Sequence, residues 1–86
     1  MKKLIISFKS RNDIFSFSHI LQQNGVFNSK INTPNKIGSP CSLSIKCDAQ
    51  YLEKVRRLIY QIKPNSFNGL YMVINNSMGE QISKLM

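Results

Sequence analysis

The chain has 86 residues, 42% of them apolar and spread over separate short segments, which fits one globular domain with a thin core and excludes a disordered chain. No apolar run approaches the roughly 20 residues that span a bilayer, so no membrane association through a spanning helix is expected. The formal charge of +8, twelve Lys or Arg against four acidic residues, directs attention to nucleic acid, an anionic membrane or an acidic protein, although the basic residues are scattered and serve solubility equally well.

Met1-Lys2-Lys3-Leu4-Ile5-Ile6 imitates the start of a signal peptide, but Ser7, Lys9 and Arg11 cut the apolar stretch short, and the expected location is cytoplasmic. Leu4, Ile6 and Phe8 alternate with Ile5, Ser7 and Lys9, the period of a strand over about 2–9. Ser10 then caps a helix, with Asp13 in its first turn to complement the dipole. Ile14, Phe17 and Leu21, with Ile20 alongside, make its apolar stripe, and Asn24-Gly25 stops it. His19 lies off that stripe and reads as a surface residue.

A weaker strand is expected over 26–33, with Phe27 and Ile31 on one face and a polarity that suits an edge. Pro34, Gly38 and Pro40 then punctuate a loop. From Cys41 the chain alternates strictly: Cys41, Leu43, Ile45 and Cys47 against Ser42, Ser44 and Lys46. Asp48 caps a second helix to about Ile62, with Leu52, Val55, Ile59 and Ile62 inward, Leu58 beside them, and Glu53 paired with Arg57. Lys63-Pro64 breaks it, and 70–74 is a last short strand. The domain is therefore expected over 1–74, with 75–86 as a C-terminal tail, loose or forming a helical turn.

Strand, helix, strand, strand, helix, strand is an α+β order. The arrangement that buries both helix stripes is the ferredoxin-like βαββαβ two-layer sandwich: a four-stranded antiparallel sheet with both helices on one face. There the first and third strands are central neighbours, which sets Cys41 near Lys9, Ser10 and Arg11 at the start of the first helix. Helix amides and cations both favour a thiolate. Cys41 is thus the candidate reactive thiol, at the seam of a constrained loop and a strand. Lys9, Ser10, Arg11 and Lys36 are the candidates for activating it or docking a partner. Cys47 faces the core and reads as a structural thiol. Six residues apart on one strand, the two cysteines stand roughly 20 Å apart at ~3.3 Å per residue, against a disulfide limit near ~7 Å. With one histidine and no Cys-x-x-Cys, neither a metal nor a cofactor is expected.

These features resemble the small family of selenium/sulfur carrier-like proteins, over about Leu4 to Val73. The resemblance rests on Ser10 and Asp13 after the first strand, Gly25-Val26, Thr33-Pro34, Ile37-Gly38-Ser39-Pro40-Cys41, Leu52-Glu53-Lys54-Val55 and Gly69-Leu70-Tyr71. It implies that Cys41 carries the chalcogen, a role the family assigns to a cysteine usually set in Ser-Cys-Gly. Here Ser42 replaces the glycine and Pro40 precedes the cysteine. The expected function is a carrier that takes sulfur or selenium from a donor enzyme such as a cysteine desulfurase and hands it to an acceptor protein. The thiol holds it as a persulfide or selenosulfide.

Two other classes stay open. A basic nucleic-acid-binding module needs aromatics on the two central strands. The outward positions there are Ile5, Ser7, Lys9, Ser42, Ser44 and Lys46, so only weak, non-specific association is expected. A protein-interaction module, or a homodimer, would use exposed Ile5 with Tyr71 or Met72.

Overall fold

The computed structural model describes residues 2–38 and 42–86. Its elements are β1 (Lys2–Phe8), α1 (Arg11–Gln23), β2 (Asn28–Asn32), β3 (Leu43–Asp48), α2 (Leu52–Ile62), β4 (Phe67–Asn76) and β5 (Gly79–Lys84). A 3-10 turn over Ala49–Tyr51 joins β3 to α2. The fold is α+β: two helices on an antiparallel five-stranded sheet of order β2-β3-β1-β4-β5.

Alternation decides which face each strand residue takes. Leu4 and Ile6 of β1 sit opposite Cys47 and Ile45 of β3 on one side, and opposite Met72 and Leu70 of β4 on the other. These paired rows meet Ile14, Phe17 and Leu21 of α1 and Val55, Leu58 and Ile59 of α2 in one cluster, so both helices cover the same face. Phe8 adds tilted and edge contacts to Phe17 and Phe67.

Local chemistry sets the helix ends. Ser10 Oγ accepts the Asp13 N–H at the start of α1. At its end, Gly25 takes φ +78°, its N–H donates to the Gln22 carbonyl, and Val26 N–H donates to that of Leu21. That is a Schellman closure, with Val26 and Leu21 both in the core. Asn28 then ties β2 to α1: its Oδ1 accepts from Ser18 Oγ, and its Nδ2 donates to the Ser18 carbonyl.

The structure corrects several expectations. The sheet has five strands, not four: β4 is ten residues long, and β5 occupies the stretch read as a tail. Its polar residues are held by main-chain pairing to β4, and Leu85 N–H bonds the Leu70 carbonyl beyond it. Asp48 caps the 3-10 turn through Gln50 N–H, so α2 begins only at Leu52. Ile62 is 40% exposed, because the Lys63 cap (φ +50°) turns the chain away there. Glu53 pairs with Arg56 at 3.7 Å instead of Arg57. Phe27 precedes β2 and is exposed.

Ile5 is only 4% exposed although it faces away from the helices. It stands between Lys46 and Tyr71 in register, and Met72 belongs to the helix face. Ile5 is therefore not the exposed residue expected for a sheet-face patch.

Candidate functional site

The two ends of β3 define two chemical settings. Cys41, the thiol singled out from the sequence, lies outside the described residues with Ser39 and Pro40. The described residues that bracket this stretch are Gly38 and Ser42. The β1–β3 register ends at Ser7 opposite Ser44, so the chain leaves β1 toward Lys9 at the same end of the sheet where it enters β3 from Ser42. Ser42, the first described residue after that stretch, and the start of α1 thus lie at one end of the sheet.

Lys9, Ser10 and Arg11 are brought together there, and a residue the sequence did not reveal joins them: Ser66, in the α2–β4 connection. Lys9 N–H donates to the Ser66 carbonyl at 2.8 Å, and Ser10 N–H to Ser66 Oγ at 3.2 Å. Ser66 in turn donates through its N–H and Oγ to the Asp13 carboxylate. The positive end of the α1 dipole is therefore already met by Asp13, which weakens it as a source of thiolate stabilisation. The cations remain. Lys9 and Arg11 are exposed, and the ion pairs formed among the described residues, Lys3 with Asp48 and Arg56 with Glu53, involve neither.

Lys36 sits apart from them in sequence, exposed on a turn in which Ile37 and Gly38 N–H both donate to the Pro34 carbonyl. The loop returns to the sheet through Thr33 and Ser42. Thr33 N–H donates to the Ser42 carbonyl at 2.9 Å, and Ser42 Oγ donates to Thr33 Oγ1 at 2.8 Å. Thr33 Oγ1 also bonds Ser44 Oγ at 2.7 Å.

At the other end of β3, Cys47 is a free, buried thiol between Leu4 and Asn28 in register. Its pKa is pushed from the ordinary 9.0 up to about 11, first by burial, then by the Asp48 charge, with Lys3 opposing. Asp48 is held below the usual carboxylate range, chiefly by the Gln50 N–H. An open groove of about 460 Å³ beside Cys47 is lined by Lys3, Phe27, Lys46 and Tyr51 among others. A thiol protonated at neutral pH is a poor nucleophile, so the groove does not make Cys47 reactive. The sequence reading of Cys47 as a structural thiol agrees with this environment.

Among the described residues, no group of three His, Cys, Asp or Glu side chains comes together to hold a metal. No described helix is long and apolar enough to cross a membrane. On the helix-free face, the central-strand positions Ile5, Ser7, Ser44 and Lys46 carry no aromatic on which a base could stack.

With its two-helix antiparallel α+β fold, the chain matches a family model over residues 3–67. The protein belongs to that family, described as "Putative Se/S carrier protein-like". The match spans β1 through α2 and stops at the start of β4. No curated protein and no solved structure matches the chain.

Proposed function

We propose that the protein is a sulfur or selenium carrier that holds the chalcogen on Cys41 and passes it from a donor enzyme, such as a cysteine desulfurase, to an acceptor protein. Family membership across 3–67, a span that contains Cys41, carries this reading. The chemistry asks little of the fold. A Cys41 thiolate attacks the terminal sulfur of a donor persulfide; a new S–S bond forms on Cys41, the donor S–S bond breaks, and its electron pair leaves on the donor cysteine as thiolate. Selenium transfers the same way and leaves a selenosulfide. Handing on is the reverse exchange with an acceptor thiolate. No oxidant is consumed.

Lys9 and Arg11 favour the thiolate by their charge, Ser10 orders the chain between them, and Lys36 extends the positive surface toward an acidic partner. The support for this grouping is the shared sheet end of Ser42, Lys9 and Ser10. In the same reading the first four strands and both helices form a ferredoxin-like βαββαβ unit with β5 appended, which the order β2-β3-β1-β4 supports. A cytoplasmic location also belongs to it, since thiols stay reduced there. Nucleic-acid association is weak, non-specific and salt-sensitive, a property of the charge alone.

The test is intact-mass spectrometry after incubation with a cysteine desulfurase and cysteine. The expected result is a reducible increment of one sulfur atom, mapped to Cys41 and absent from Cys41→Ser. No increment, or one that survives in Cys41→Ser, overturns the proposal.

A further inference from the structure

The two edges of the sheet are not alike. Among the described residues, β2 pairs with β3 alone and β5 with β4 alone, so each turns a row of main-chain groups outward. Such an edge accepts another strand unless its side chains prevent it. Which groups of β5 face outward follows from the hairpin. Ser77 and Met78 alone separate the paired residues Asn76 and Gly79, and a two-residue turn closes on a hydrogen-bonded pair. Past the far end of the strand, Leu85 N–H donates to the Leu70 carbonyl at 2.7 Å. Bonded pairs alternate along an antiparallel ladder. Gly79, Gln81 and Ser83 therefore bond toward β4, and Glu80, Ile82 and Lys84 present their N–H and carbonyl groups to the open edge.

That outward set matches itself. When a second copy of β5 runs antiparallel with Ile82 across from Ile82, Glu80 of each copy stands opposite Lys84 of the other. The main-chain groups that meet are the ones already turned outward. Glu80, Ile82 and Lys84 also share the helix-free face, since Ile82 lies across from Val73 whereas Ser83 lies across from Met72 of the helix face. Opposite charges directly across an antiparallel pair attract, and the half-buried Ile82 gains an apolar neighbour. Within one strand Glu80 and Lys84 are roughly 13 Å apart at ~3.3 Å per residue. A single copy does not close that distance. Both residues are exposed, and the ion pairs among the described residues, Lys3 with Asp48 and Arg56 with Glu53, leave them out.

The β2 edge is built the other way. Thr33 N–H donates to the Ser42 carbonyl, so by the same alternation Asn28, Lys30 and Asn32 face outward. The register that engages the whole of β2 with its copy sets Lys30 against Lys30, and like charges directly opposite are destabilising. Asn28 is moreover tied to Ser18, and Lys30 Nζ lies 5.4 Å from the centre of the Phe15 ring. A lysine in the middle of an edge strand guards it against pairing. β5 instead carries opposite charges on either side of an apolar centre.

We infer that β5 is a self-recognition edge: two copies of the chain pair antiparallel through Glu80, Ile82 and Lys84 into one continuous sheet, with the helices of both on the same side. The inference does not depend on the carrier reading, and it leaves the β2–β3 side of the sheet uncovered. One short strand edge is far smaller than the standard interface of roughly 1,600 Å², so the dimer is weak and forms as concentration rises.

The experiment is sedimentation equilibrium of the full chain from micromolar to millimolar concentration, at low salt. The samples are wild type, Glu80→Lys, Lys84→Glu and an equimolar mixture of the two variants. Wild type should pass from 9.9 kDa toward twice that mass. Each single variant sets like charges opposite one another on both sides of the axis, and its association constant should fall roughly tenfold or more. Mixing restores opposite signs at every pair, so the mixture should associate about as tightly as wild type. Both substitutions lie at exposed positions whose main-chain groups do not bond β4, so the fold is kept. A wild type that stays monomeric throughout overturns the inference. So do single variants that dimerise like wild type, which would place the contact elsewhere, and a mixture that associates no better than its components.

Discussion

At one end of β3, Cys47 points among Leu4, Ile45 and the helices; at the other, Ser42 and Ser44 turn to the helix-free face and join Thr33. The same short strand thus builds an apolar end and a polar end. The difference comes from what each residue faces. Burial and the neighbouring Asp48 charge hold the Cys47 thiol protonated. The Ser42 end has hydroxyl partners, main-chain amides already satisfied by Ser66, and exposed cations. Thiol chemistry is suppressed at the first end; the second carries the exposed cations on which the carrier proposal draws.

The strongest way to break this contrast is to open the apolar end. Leu4 lies directly across from Cys47 and is fully buried, so Leu4→Ala should cost about 2–5 kcal/mol, read as a lower midpoint in a urea or thermal melt. Cys47 should become measurably more reactive in that variant. A loss below about 1 kcal/mol would mean that the end is not packed as described.

Alkaline pH sharpens the contrast more gently. Cys47 has its pKa raised on folding, so its contribution to stability is complete below the unfolded value of 9.0 and is lost as pH rises through the folded value of about 11. The expected loss across that window is about 2–3 kcal/mol, at 1.36 kcal/mol per pH unit. Cys47→Ala should flatten this part of the pH–stability curve. A slope unchanged by the substitution would assign the alkaline loss to other groups.

Much of the fold follows from pattern. Leu4, Ile6 and Phe8 at period two, and Ile14, Phe17 and Leu21 at helical spacing, state which faces are buried, and Asn24-Gly25 states where the chain turns. What the pattern cannot carry is held by other forces. β5 has one apolar residue, Ile82, and is defined by main-chain bonds to β4, which leave little trace in composition. Ile5, Ser7 and Ser44 sit at outward positions of the alternation yet are buried, because long neighbours such as Tyr71 and loop residues such as Thr33 cover that face.

The candidate site was legible only in part. The proximity of Lys9, Ser10 and Arg11 to the start of β3 follows from strand order. Ser66 comes from a connection more than fifty residues along the chain, and no local signal ties it to Asp13. Thr33 stands in the sequence as a turn residue before Pro34; its place as the hub of three hydroxyls depends on the β2–β3 register.

The division of labour between the two cysteines is tested most directly by their alkylation rates in the same native sample, followed against pH with Cys41→Ser and Cys47→Ser as controls. At pH 7.5 a thiol titrating at about 11 holds about 300-fold less thiolate than one at the free value of about 8.5. A thiolate of higher pKa is the better nucleophile, which offsets part of that ratio, so Cys41 should react faster than Cys47 by roughly tenfold or more, with an apparent pKa below the free value, and the two rates should converge in denaturant. Equal native rates, or a faster Cys47, would contradict the assignment of Cys41 as the carrier thiol.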